Sequence, residues 1–195
     1  KQSGKATIRK NLEAFGLELN PEVIARVAER VIELGDKKES VTRDDLPFII
    51  ADVLGEDRSG YRVFIRNYSL NLTCGLKPSA SVQVEIDGIL HQETAAGDGQ
   101  YDAFMKALRK VYESLGTGLP LLTDYEVSIP PGGKTDALVE TVIRWNHNGR
   151  EFRTRGLDAD QTESAIKATE KMLNIICSNE TNHEYTKLIE IANEL

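Results

Sequence analysis

An internal repeat in the second half of the chain constrains its fold more than any other feature. The segment SVQVEI, Asp87-Gly88 and ILHQET is followed by the helical pattern GDGQYDAFMKALRKVYESL. About sixty residues later LVETVIRW, Asn148-Gly149 and REFRTR are followed by GLDADQTESAIKATEKMLNII. Asp-Gly and Asn-Gly pairs favour type I′ hairpin turns, which need positive φ at both central residues. With a further strand before each hairpin, the repeat predicts two βββα units packed face to face.

The predicted fold class is α+β, because each antiparallel sheet covers one face with its own helix. Residues 1–57 show helical spacing, with glycine stops at Gly16 and Gly35, and form a helical N-terminal linker. The polar segment GEDRSG then marks a boundary. A duplicated βββα domain is predicted over 58–180, with units at about 61–116 and 119–178, and a separate helical tail over 181–195.

Helix signals also punctuate the linker. Asn20-Pro21 is a cap followed by proline at the first helical position, and the apolar spacing predicts a helix from there to Gly35. The segment Thr42-Arg-Asp-Asp45 resembles a capping box and opens a third helix. A first helix is predicted between Lys5 and Phe15.

Charge and hydropathy exclude several classes of function. The net charge of −7 argues against a general nucleic-acid-binding protein, which needs a basic face. No run approaches 18 apolar residues and no signal peptide opens the chain, so we expect a cytoplasmic protein without membrane contact. Because the chain begins at Lys1 inside a helical pattern, we expect it to be part of a longer protein.

Catalysis by this chain alone is not predicted. The three histidines lie on separate predicted elements without a second metal ligand at suitable spacing. Cys74 has no neighbouring base, and the two cysteines make neither a disulfide framework nor a zinc set. No phosphate-binding loop, nucleophile elbow or zinc-protease motif occurs.

One segment carries a ligand-binding signal. Ala96-Gly-Asp-Gly-Gln-Tyr-Asp-Ala103 places two glycines and two aspartates at the start of a helix. Free N–H groups and the positive end of the helix dipole favour a small carboxylate there. A nearby aspartate can bind an ammonium group, and the two together suit an α-amino acid. The alternative is a glycine-rich helix start in which Asp98 is only a cap.

The segment GDGQYDAFMKAL resembles the GxGPxDA-type motif in the C-terminal regulatory domain of 2-isopropylmalate synthases and of the similar citramalate synthases. Residues 61–179 resemble that domain throughout, including its doubled βββα pattern. The opening KQSGK is similar to the family's GKHSG sequence, with Gln2 where histidine is common. Residues 1–57 would then be the family's linker subdomains.

The resemblance implies an acyltransferase parent of leucine biosynthesis. Such enzymes condense acetyl-CoA with a 2-oxo acid on a metal-dependent TIM barrel that this chain lacks, so the chain alone should be inactive and hold no cofactor. Their regulatory domain forms a homodimer and binds the end-product amino acid near the dimer interface, which causes feedback inhibition.

The resemblance also implies the site residues. The polar end of the effector would meet Gly97, Gly99, Tyr101 and Asp102. The remaining expected contacts border the branched side chain or precede the last helix; they are Leu122, Tyr125, Ile129, Thr135, Val139, Ala159 and Gln161. Ala159 departs from the family's proline. For the apolar members of this set, ordinary core packing is the alternative.

Two alternatives to a leucine sensor remain open at this point. The parent can be a citramalate synthase that responds to isoleucine, since one methylene changes binding by only about 1–3 kcal/mol. The domain can also serve dimerisation alone, without an effector.

Overall fold

Ten elements follow one another in the computed structural model, which describes residue 10 and residues 19–37, 41–42, 45–55, 58, 60–129 and 137–193, with 179–193 as backbone only. They are α1 Pro21–Lys37, α2 Leu46–Leu54, β1 Val63–Asn71, β2 Ser79–Ile86, β3 Ile89–Ala96, α3 Gln100–Ser114, β4 Leu121–Ser128, β5 Val139–His147, β6 Arg150–Asp158 and α4 Gln161–Asn193. The order confirms an α+β fold with two βββα units.

Each unit contains one three-stranded antiparallel sheet, with strand orders β1-β2-β3 and β4-β5-β6. The predicted hairpin turns are present. Asp87 and Gly88 have φ values of 50° and 81°, and Asn148 and Gly149 have 52° and 82°. These are the paired positive φ angles that a type I′ turn requires.

From the second strand of each unit onward, the two units align at one constant interval. Gly88 and Gly149 lie 61 positions apart, and the same interval relates Gln83 to Arg144. Gln83 pairs with β1 directly after an irregularity in register, and Arg144 pairs with β4 directly after the same irregularity. The duplication therefore includes a β-bulge in the first strand of each unit, and the 61-residue interval can be used to compare their helix starts.

One hydrophobic core joins the two units. Buried residues of β2, α3, β5 and α4 belong to a single cluster that includes Phe104, Leu108, Trp145, Met172 and Leu173. The inner faces of both sheets and the helices α3 and α4 thus form one core. Burial of its apolar side chains stabilises both units together.

Among the described residues, the linker helices pack their apolar side chains against the second unit. A separate cluster combines Val27 and Leu34 of α1 and Ile49 of α2 with two leucines of the second unit. Leu138 directly precedes β5, and Leu157 lies in β6. The linker is thereby joined to the end of β6, where the chain enters α4.

Side-chain amides cover the outer face of the first sheet. The Asn67 amide donates to Gln83 and the Gln83 amide donates to Gln92, each at 2.8 Å, across all three strands. The Ser81 and Thr94 hydroxyls, also 2.8 Å apart, extend this polar row. The alternation of apolar inner and polar outer residues follows the period of the strand.

Two helix ends differ from the prediction. α1 continues through Gly35 to Lys37, since Lys37 is anchored by ion pairs to Asp158 and Glu163. α4 does not end near Cys177 but continues to Asn193, so the predicted separate tail helix is wrong; no glycine or proline interrupts this stretch. The predicted first helix and the boundary residues 56, 57 and 59 lie outside the described residues.

The predicted capping box at 42–45 forms only by half. Asp45 accepts hydrogen bonds from the Thr42 backbone N–H at 2.8 Å and from its hydroxyl at 3.0 Å. The helix itself begins at Leu46, with Asp45 in the N-cap position and Pro47 in the first turn. Among the described helices, none is long and apolar enough to cross a membrane.

Gly156 lets β6 approach α4 closely, and this contact generates a prediction for stability. A Cβ at Gly156 would lie 1.9 Å from the Ser164 carbonyl oxygen. We expect Gly156→Ala to lower the free energy of unfolding by at least about 2 kcal/mol, because a backbone clash cannot be relieved by a rotamer change. Gly118→Ala is the control, since its methyl group would meet nothing within 4 Å. Equal urea unfolding midpoints for the two variants would contradict the close contact.

Candidate functional site

The candidate site centres on residues 97–102, named here the α3 start. The Gly97 N–H donates to the Pro78 carbonyl at 2.9 Å. A Cβ at Gly97 would lie 2.3 Å from the Ala103 nitrogen. Glycine is thus required where the chain turns from β3 into α3.

Asp102 organises this turn from within the helix. Its Oδ2 accepts the Asp98 N–H at 2.8 Å and pairs with the Lys106 ammonium at 2.7 Å. The hydrogen bond from Lys106, and then that from the Asp98 backbone, hold the pKa of Asp102 below its ordinary value. Its other oxygen, Oδ1, has no hydrogen bond to the described part of the chain, so the ionised carboxylate keeps one acceptor for a ligand.

The first turn of α3 has no side-chain cap. Gly99 occupies the N-cap position in an extended conformation, with φ −146° and ψ 170°. A Cβ there would meet nothing within 4 Å. The first N–H groups of α3, at the positive end of the helix dipole, are therefore without a capping side chain among the described residues.

The equivalent turn of the second unit is capped. Residues 158–163, named here the α4 start, are the counterparts of 97–102 by the 61-residue interval. Asp160 stands where Gly99 stands in the first unit, and its Oδ1 accepts the N–H groups of Thr162 at 2.8 Å and Glu163 at 3.0 Å. One helix start is closed by its own carboxylate and the other is open to a carboxylate from elsewhere.

Aromatic side chains connect the α3 start with the second unit. The rings of Tyr101 and Tyr125 lie 5.5 Å apart, and the Tyr101 hydroxyl is 2.8 Å from the Thr169 hydroxyl on α4. Burial raises the pKa of the Tyr101 hydroxyl far above its ordinary value. Burial also raises the pKa of Tyr125, whose hydroxyl has Gln161 and Thr141 as polar neighbours.

The remaining predicted residues divide between the α4 start and an exposed strand. Ala159 and Gln161 lie at the α4 start, and Val139 pairs with Asp158 in the sheet. Leu122 is 40% exposed and Ile129 is 61% exposed. Thr135 lies outside the described residues. The structure thus brings Gly97, Gly99, Tyr101, Asp102 and Tyr125 into one region, with Gln161 reached through Tyr125.

Comparison with known proteins assigns the chain to a protein family. The profile of the LeuA allosteric (dimerisation) domain matches residues 40–177. The chain belongs to that family. The match includes both βββα units and α2, and therefore both helix starts of this LeuA-type domain.

Curated relatives agree with this assignment. The chain is 36% identical over 170 residues to a probable 2-isopropylmalate synthase of Methanopyrus kandleri, a match that covers 86% of this chain and 34% of that protein. It is 33% identical over 177 residues to the 2-isopropylmalate synthase of Pyrococcus furiosus, covering 90% and 34%. A putative (R)-citramalate synthase of Archaeoglobus fulgidus is 29% identical over 176 residues, covering 90% and 35%. The chain spans about a third of the length of these relatives.

Sequence reasoning missed the charged groups at the α4 start of the LeuA-type domain. Asp158 is fully buried and pairs with Lys167 at 2.6 Å, Lys37 at 3.2 Å and Arg30 at 3.7 Å. Burial alone would raise the pKa of Asp158, but these three cations, Lys167 first, outweigh it and hold the pKa at about 2. The partners Lys37 and Asp158 are 121 positions apart, so no local spacing could indicate the pair.

Sequence reasoning also missed Tyr68, the β1 counterpart of Tyr125. Burial, and then the nearby Glu163 carboxylate, raise the pKa of Tyr68 to about 12. The 61-residue interval of the repeat does not relate Tyr68 to Tyr125, and only the strand register shows that they are equivalent. In the described part of the chain, no three His, Cys, Asp or Glu side chains are grouped to hold a metal ion.

The Asp158 cluster predicts an acid-dependent loss of stability. The folded pKa of about 2 lies below the ordinary 3.8, so the stabilisation is present above pH 4 and is lost as pH falls through about 2. This contribution amounts to about 2 kcal/mol. Between pH 5 and pH 2, we expect the wild-type chain to lose about 2 kcal/mol more unfolding free energy than Asp158→Asn. The exposed Asp36→Asn is the control; parallel pH curves for wild type and Asp158→Asn would refute the assignment.

Proposed function

We propose that this chain is the linker and regulatory domain of a cytoplasmic 2-isopropylmalate synthase, an acyltransferase of leucine biosynthesis, and that it binds leucine as the feedback inhibitor. Catalysis, with its divalent metal and acetyl-CoA, would belong to a barrel outside this sequence, and the chain alone would be inactive. The family match and the names of the relatives support this proposal.

The observation that carries the leucine proposal is the missing cap of α3. The two units share one backbone pattern, yet the capping carboxylate of the second unit is replaced by glycine in the first. A ligand carboxylate that accepts the free N–H groups of the first turn would play the part that Asp160 plays in the second unit.

The ammonium group of the amino acid would meet Asp102. This carboxylate lies three residues after the uncapped position and keeps Oδ1 as an acceptor, while Lys106 and the Asp98 N–H hold it in place through Oδ2. Tyr101 and Tyr125 supply aromatic surface beside these polar groups, as expected for a site that binds an apolar side chain.

Isoleucine is the second candidate effector, with citramalate synthase as the parent. It is favoured by the putative citramalate synthases among the relatives, which are 29% and 30% identical to the chain. Leucine is preferred here because two 2-isopropylmalate synthases match at 36% and 33%.

The open helix start gives a direct test. Gly99→Asp would add the carboxylate that Asp160 provides in the second unit, in open space and at a backbone conformation that any residue adopts. We expect unchanged or slightly higher stability, but at least about tenfold weaker leucine binding in calorimetry, because the new carboxylate takes the N–H groups and repels the ligand.

The control is Gly118→Asp, which adds the same charge in open space away from the α3 start. Unchanged leucine affinity in Gly99→Asp would rule out carboxylate binding at this turn. Titrating leucine, isoleucine and valine in parallel distinguishes the parents: a preference for isoleucine indicates a citramalate synthase. A folded dimer that binds none of them is a dimerisation module only.

We also propose that the chain forms a homodimer through β4. In register, Leu122 and Val127 lie opposite the buried residues Trp145 and Thr141, which places them on the inner face of the sheet. They nevertheless remain 40% and 37% exposed, and Leu121 and Ile129 are more exposed still. Among the described residues, these apolar side chains of an edge strand are left largely uncovered, which suits a second copy of the same strand, as the family description of dimerisation suggests.

The dimer proposal predicts the effect of a single charge. Val127→Lys should leave the monomer fold intact, because this inner-face side chain of the edge strand is already 37% exposed, but should shift sedimentation from dimer to monomer at micromolar concentration. Leu90→Lys on the outer face of the first sheet is the matched control and should remain dimeric. The reverse result would place the interface on the first sheet.

A further inference from the structure

At the α3 start, the proposed ligand binds the first-turn N–H groups and Asp102. At the α4 start, the equivalent groups already have partners within the chain. Asp160 closes the first-turn N–H groups. Glu163, the counterpart of Asp102, pairs with the Lys37 ammonium from the linker. The second unit thus holds a carboxylate and an ammonium in the arrangement proposed for an amino acid in the first, and the chain supplies both.

Lys37 is held by several carboxylates at once. Its Nζ lies 3.3 Å and 3.2 Å from the two oxygens of Asp158, contacts Glu163, and is 3.9 Å from Glu33. Lys167 shares the cluster from α4, at 2.6 Å from Asp158 and 3.0 Å from Glu33. Asp158 is fully buried, and without Lys37 its charge would still be matched by Lys167 and Arg30, so the loss of Lys37 should loosen the linker without unfolding the domain.

Other linker contacts converge on the same place. Arg30 of α1 donates to the Leu157 carbonyl and pairs with Asp158, and its Nε also lies 3.4 Å from Asp52 of α2. Asp52 in turn pairs with Lys171 on α4 at 3.0 Å. Polar contacts from both linker helices therefore reach the end of β6 and the first turns of α4.

We propose that the α4 start is the docking site of the linker, with the Lys37 ammonium in the position that corresponds to an effector's ammonium at the α3 start, and that linker docking and effector binding are coupled. The docking is independent of the proposed function, whereas the coupling rests on the proposed function.

Three tyrosines provide the physical connection between the two helix starts. Tyr101 of the α3 start bonds to Thr169 on α4. The ring of Tyr125 packs at a tilt against that of Tyr101, and Tyr125 has Gln161, the first residue of α4, as a polar neighbour. Tyr68 of the first unit lies beside Glu163, the residue that binds Lys37. A ligand that fixes Tyr101 and Tyr125 therefore also fixes the turn on which the linker is docked.

The docking is tested without ligand, by hydrogen exchange of the α1 amides in the 195-residue chain. We expect Lys37→Met and Glu163→Gln each to accelerate α1 exchange about tenfold, the effect of losing one charge-assisted hydrogen bond. The double variant should exchange no faster than Lys37→Met, because that substitution already removes the contact between Lys37 and Glu163. Lys37→Arg should keep most of the protection. Lys110→Met, which removes a lysine bonded to a carbonyl of the first unit, should have no effect.

Additive effects in the double variant, or unchanged α1 exchange in Lys37→Met, would overturn the docking. Unfolded variants are recognised by loss of protection in β2 and β5 as well, and Lys37→Arg and Glu163→Gln then decide the question.

The coupling is tested by adding leucine, after calorimetry has shown that leucine binds. Reciprocity requires that saturating leucine slow α1 exchange by the factor by which complete undocking of the linker weakens leucine binding, and we expect about five- to tenfold. Lys37→Met, which only loosens the docking, should weaken leucine binding by no more than that factor. Tight leucine binding with no change in α1 exchange would overturn the coupling alone. If no amino acid binds, the proposed function and the coupling both fall, while the ligand-free cycle still decides the docking.

Discussion

The close approach of each helix to the last strand of its unit is the constraint on which the rest of the structure depends. Gly97 and Gly156 bring the backbone of β3 and β6 so near to α3 and α4 that a single methyl group would collide with the helix. This proximity aligns each helix start with the end of a strand. Ala107 and Ala168 on the helices are fully buried in the shared core. Their small side chains allow each helix to stay close to its sheet beyond the first turn.

Given this common scaffold, the two helix starts differ through few side chains. Where the first unit has Gly97 and Gly99, the second has Asp158 and Asp160. The glycines leave N–H groups and open space, whereas the aspartates cap the helix and attract cations from the linker. Such exchanges give one helix start that is closed by its own side chains and one that is left without a cap, without any change in backbone topology.

Much of the fold could be predicted because its signals are local. Asp-Gly and Asn-Gly specify tight hairpins, and the spacing of apolar residues indicates which helix faces are buried. Gly35 misled because tertiary ion pairs at Lys37 extend α1 past a residue that usually ends a helix. The α3 start could be predicted from its glycines and aspartates. The difference between Gly99 and Asp160 is also visible in the sequence when the two repeats are aligned. The Lys37–Asp158 pair depends on the folded arrangement of distant segments, and the exposure of Leu122 and Ile129 depends on what covers β4.

The row of amides across the outer face of the first sheet restricts how the domain can assemble. Asn67, Gln83 and Gln92 already bond to one another, so an approaching surface would have to match or break a satisfied ladder and would remove little apolar area from water. Such a face offers a weak driving force for association in any orientation. Because this polar face gains little from leaving water, the exposed apolar side chains of β4 are the surface on which the proposed contact with another copy would be favoured, and the two faces together would orient the assembly.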